Sequence, residues 1–73
     1  MNEYTVEIQA SNADGTIWQA MAPAETVTAE NAEEAARDTA ANQNIAEGDN
    51  WRVAAWEGAE ADTATEPAAT YNS

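Results

Sequence analysis

Cysteine, histidine and lysine are all missing from this 73-residue chain. Without cysteine there is no disulfide and no thiolate zinc site, and without histidine there is no imidazole ligand. The three absences together exclude every nucleophile–base arrangement built on Cys, His or Lys. With three glycines in all, the chain also has no glycine-rich phosphate loop. Paired carboxylates can do acid–base work, but only in a cleft that raises one pKa, and a chain this short buries too little surface to build one. The expectation is a protein that is not an enzyme and that carries no cofactor and no metal.

Positive charge is almost as scarce. Two basic residues, Arg37 and Arg52, stand against 14 acidic ones, for a net charge of -12. Affinity for nucleic acid rests on Lys and Arg releasing counterions from phosphates, so direct nucleic-acid binding is excluded, and basic proteins remain as partners. The acidity also has two explanations without a partner: coding that disfavours lysine, or a high-salt cytoplasm in which salt screens self-repulsion. No run approaches the roughly 18 apolar residues of a membrane span. The opening MNEYTVEIQ is neither basic nor followed by an apolar signal core. A cytoplasmic location is expected, in the host cytoplasm if the protein is viral.

The residues that are present alternate early. In Tyr4 to Ala10, Tyr4, Val6, Ile8 and Ala10 face one way while Thr5, Glu7 and Gln9 face the other, which predicts a strand. A turn at Ser11–Gly15 with an Asp-Gly pair leads into a second strand, Thr16 to Ala22. Pro23 interrupts it, and Thr26 to Thr28 resume the extended pattern. The period then changes. Asn31 with Glu34 three residues on reads as a capping box opening a helix from about Ala32 to about Gln43, whose buried stripe is Ala32, Ala35, Ala36, Thr39 and Ala40. Asn42, Asn44 and Gly48 end it, and Ile45 covers one end of the core. A third strand follows over Trp51 to Glu57.

These elements predict an α+β fold: a β-β-α-β module with a three-stranded sheet in the order 2-1-3, one alanine-rich helix on one face and the other face open. Residues 1–57 form the expected domain. Residues 58–73, rich in Ala, Thr and Glu and without periodicity, are expected to be a disordered tail. The order of elements is generic to small α+β modules and carries no family's motif.

Two groups of residues are candidates for function. The first is the stretch NWRVAAWEG, where Arg52 and Trp56 are expected on the open face beside Glu7. Either Arg52 merely neutralises Glu7 and Glu57 with its stem packed on Trp56, or Arg52 and Trp56 anchor a protein-binding surface or a homodimer seam on that face. The second is the acidic face of Glu30, Glu33, Glu34 and Asp38, with Glu47 and Asp49 beyond the helix. It is either a solvated surface or an imitation of a phosphate backbone that occupies a basic, nucleic-acid-binding partner, as a virus- or mobile-element-encoded inhibitor would. The alternative function is a self-associating structural protein whose acidity serves a salty environment or solubility only. A partial calcium-loop match at Asn12, Asp14 and Gly15 fails because Ala10 and Met21 occupy the positions of its strongest ligands, which leaves a plain turn.

Overall fold

The computed structural model describes residues 1–42 and 50–71. Six elements follow in the order β1 (Asn2–Ser11), β2 (Trp18–Ala20), β3 (Glu25–Ala29), α1 (Ala32–Asn42), β4 (Trp51–Glu57) and β5 (Ala69–Tyr71). The fold is α+β, with one helix and an antiparallel sheet of five strands rather than three. The central position of the first strand holds. One long edge of β1 pairs with β4 from Tyr4↔Glu57 to Ala10↔Trp51, and β5 pairs outside β4.

The other edge of β1 is shared by two short strands. β3 pairs with Asn2–Val6 and β2 with Gln9–Ser11, so the expected second strand is one ribbon broken in the middle. The break is Met21–Ala24, and it contains Pro23, whose ring has no amide proton to give to a ladder. Pairing persists up to the break, where the Met21 amide donates to the Ile8 carbonyl at 2.8 Å.

The hairpin between β1 and β2 is organised by Asn12. Its Oδ1 accepts from the amides of Thr16 (3.0 Å) and Ile17 (3.2 Å), while Gly15 takes a positive φ of 71°. The side chain that half-resembled a calcium ligand is therefore committed to holding the turn.

Helix α1 begins where expected, with one half of the capping box: the Asn31 Oδ1 accepts from the Glu34 amide at 2.8 Å, satisfying a donor that the first turn leaves free, while the Glu34 carboxylate makes no return bond to the Asn31 amide. Glu33 and Glu34 stand in that first turn, where the positive end of the helix dipole favours them. Ala35, Ala36, Thr39 and Ala40 are buried, and the volume their small side chains do not fill is supplied by Tyr4, Val6 and Val53 on the sheet. Ile8, Val27, Trp51 and Tyr71 close the margin of this core. The expected contributions of Gln43, Asn44, Ile45 and Gly48 lie outside the described residues.

The largest departure is at the C-terminal end. Residues expected to form a disordered tail instead turn back across the sheet and supply β5, paired Val53↔Tyr71, Ala54↔Thr70 and Ala55↔Ala69. Alanines at 54 and 55, both wholly buried, are what β4 carries where a chain must cross close to it on each face.

Candidate functional site

Alternation along β1 and β4 puts Thr5, Glu7 and Gln9 on the face away from the helix, with Arg52, Ala54 and Trp56 beside them. These residues share one face, and that face is not open. Gly58, at a positive φ of 92°, turns the chain out of β4, and residues after it lie over one half of this face. The neighbouring pair Thr5 and Trp56 fastens them. The Thr5 hydroxyl donates to the Gly58 carbonyl and accepts from the Ala61 amide, both at 2.8 Å, and the Trp56 indole N–H donates to the Thr65 carbonyl at 2.9 Å.

Asp62 shapes the turn that presents that carbonyl. Its carboxylate accepts from the Ala64 amide at 2.9 Å, and its backbone carbonyl accepts from the Thr65 hydroxyl at 2.7 Å. Trp56 is left 4% exposed, so its expected position as an exposed anchor is corrected. An indole of this size buries its ring under any segment that also offers an acceptor to its N–H, and the turn does both.

The other half of the face is a polar chain running across the strands. The register sets Arg52 opposite Gln9, not opposite Glu7, which pairs with Ala54. Arg52 Nε donates to Gln9 Oε1 at 2.7 Å, and Gln9 Nε2 donates to Glu7 Oε1 at 2.8 Å, so the arginine reaches the carboxylate only through the amide. The guanidinium lies 4.4 Å from the ring centroid of Trp18, not on Trp56 as expected. Burial holds the Arg52 pKa below its ordinary value. The expected neutralisation of Glu7 and Glu57 by direct ion pairs is not formed; among the described residues the one ion pair is Arg37 with its neighbour Asp38, at 3.8 Å.

Trp18 and Gln9 were missed as partners of Arg52. The signal for Gln9 was its position on the same face as Arg52; Trp18 carried none, because the alternation of Thr16 to Ala22 does not by itself fix the register of a ribbon broken at Pro23.

On the helix side, Glu30, Glu33 and Asp38 are exposed and Glu34 half-buried. Glu47 and Asp49 lie outside the described residues. None of the described Asp and Glu side chains is buried. No group of three or more acidic side chains among the described residues converges in a way that could hold a metal ion. No helix among them is long and apolar enough to cross a membrane.

No family model matches the chain, and neither does any curated protein or any solved structure.

Proposed function

We propose that the protein is a small non-catalytic binding module that occupies a basic protein partner by imitating the charge of a nucleic acid, in the manner of a virus- or mobile-element-encoded inhibitor. The observation that carries this reading is the unneutralised shell. The described acids all reach solvent, one weak ion pair offsets them, and the second arginine is engaged by Gln9 and Trp18. A field of one sign over a surface this small steers a cationic groove into a fast encounter. The residue types favour a role without chemistry, because no His, Cys or Lys is present to move a proton or attack a bond. The alternative of self-association through an open sheet face has less support, since half of that face is occupied and each added copy brings the same charge.

The test is capture on the immobilised protein of host proteins that were first retained on heparin, at about 50 mM and about 500 mM potassium chloride. The proposal expects one captured partner at low salt, lost at high salt, whose duplex DNA is displaced by the free protein. Capture that ignores salt, or a partner that keeps its DNA, overturns it.

A further inference from the structure

The segment that covers the Thr5–Trp56 half of the sheet face adds little to the core. None of residues 58–71 is buried, and Tyr71 alone among them packs against the helix-side core, at its margin. Its attachments to the sheet are few: the bonds at Thr5 and Trp56, the Ala68 amide to the Ala55 carbonyl at 2.8 Å, and the short ladder of β5. The two bonds of Asp62 stay within the segment. The core beneath is assembled without it, because Tyr4, Val6, Ala35, Ala36 and Val53 meet between α1 and a ladder of β1 with β4 that residues 58–71 do not enter.

The start of the segment is also strained. Gly58 has a φ of 92°, which side chains rarely adopt, and Glu60 at 54° is the one residue other than glycine with a positive φ among the described residues. A carbon placed on Gly58 would meet nothing within 4 Å, so the demand there is for backbone angle and not for space. Both conformations serve to fold the chain back over the face, and a chain running straight out of β4 needs neither. Holding Glu60 in the left-handed region therefore works against closure. Ordering a segment that buries little of itself loses backbone entropy at every residue, and such segments open before the fold they sit on. We infer that residues 58–71 form a latch hinged at Gly58 and Glu60, which opens as one unit while α1 and the sheet of β1 to β4 stay folded and which gates the access of solvent to Trp56 and Thr5. The latch concerns when the Trp56 face is available, and it stands independently of the charge-based reading above.

The experiment is native-state hydrogen exchange of the full chain, followed by NMR at several urea concentrations below unfolding. The Trp56 indole and the amides of Ala61 and Ala68 report the latch, and the β1 amides that bond to β4 report the rest. The three latch probes should share one protection, at least about tenfold lower than that of the β1 amides and with a smaller urea dependence, because less surface is exposed. Asn31→Ala, which weakens the helix start in a part that stays folded when the latch opens, should lower the β1 protection by about two- to thirtyfold and leave the latch probes unchanged. Gly58→Ala should lower protection at the latch probes by about fivefold, and Glu60→Gly should raise it by about twofold or more.

If the latch probes match the β1 amides in protection and urea dependence, or fall with them in Asn31→Ala, the segment unfolds only with the whole chain and the latch is wrong. Hinge variants that leave the latch probes at the parent values overturn the hinge at Gly58 and Glu60. Exchange of the Trp56 indole at the rate of a free indole overturns the closure itself, and the latch with it.

Discussion

Trp56 and Thr5 sit opposite each other on β1 and β4, and between them they make three hydrogen bonds to the segment that follows β4. The pair converts a composition that reads as disordered into a closing layer. Removing the Trp56 side chain should therefore cost far more than removing an exposed ring. Trp56→Ala is expected to destabilise the fold by roughly 3–5 kcal/mol in urea titrations, and Trp56→Phe, which keeps most of the apolar ring and loses the N–H, by about 1–2 kcal/mol.

Thr5 offers a cleaner test, because its hydroxyl acts as donor and acceptor at once inside a side chain that is 3% exposed. Thr5→Val preserves shape and strands the Ala61 amide and the Gly58 carbonyl. A loss of about 2 kcal/mol is expected in the same titrations, with Thr5→Ser recovering part of it.

How far these interactions could be read from the chain differs by element. β4 was legible to the residue, and β1 nearly so, because Tyr4, Val6 and Ile8 alternate with polar neighbours and the alternation survives in the packing. The helix start was legible from Asn31 and Glu34. The C-terminal layer was not, because its bonds are long-range: Thr65 offers a backbone carbonyl, which any residue has, and β5 is three residues of Ala, Thr and Tyr without a period to detect. The partner of Arg52 was misread by two residues of register, which moved Glu7 away and brought Gln9 across.

Asn31→Ala should lower stability by about 0.5–2 kcal/mol through loss of the bond to the Glu34 amide, with Asn31→Asp or Asn31→Ser close to the parent. Thermal melts followed by far-ultraviolet circular dichroism measure it.

Salt should stabilise the folded chain. The described carboxylates are solvent-exposed or half-exposed and largely unpaired, so folding concentrates like charges that screening relieves. The thermal midpoint is expected to rise by several degrees between low salt and about 0.5 M potassium chloride, where the Debye length falls to about 4 Å. A midpoint indifferent to salt would show that the surface field is weaker than this charge distribution requires.

Arg52→Ala removes the guanidinium from Trp18 and its bond to Gln9, and a loss of about 1–2 kcal/mol is expected. Arg52→Lys keeps the charge but not the planar face and Nε donor, and should recover less than half of it. Glu7→Gln, one step further along the chain of hydrogen bonds, should cost less than either.

The account depends most on the Thr5–Trp56 half of the sheet face beyond the helix being covered by the chain's own residues, because that cover removes Trp56 from recognition and leaves the charged surface to meet a partner. Hydrogen exchange of the Trp56 indole N–H, followed by NMR in the intact protein, tests it most directly. Exchange slowed by orders of magnitude relative to free indole, and released when residues after Gly58 are deleted, is the predicted result. Exchange as fast as in a free indole in the intact chain would contradict it.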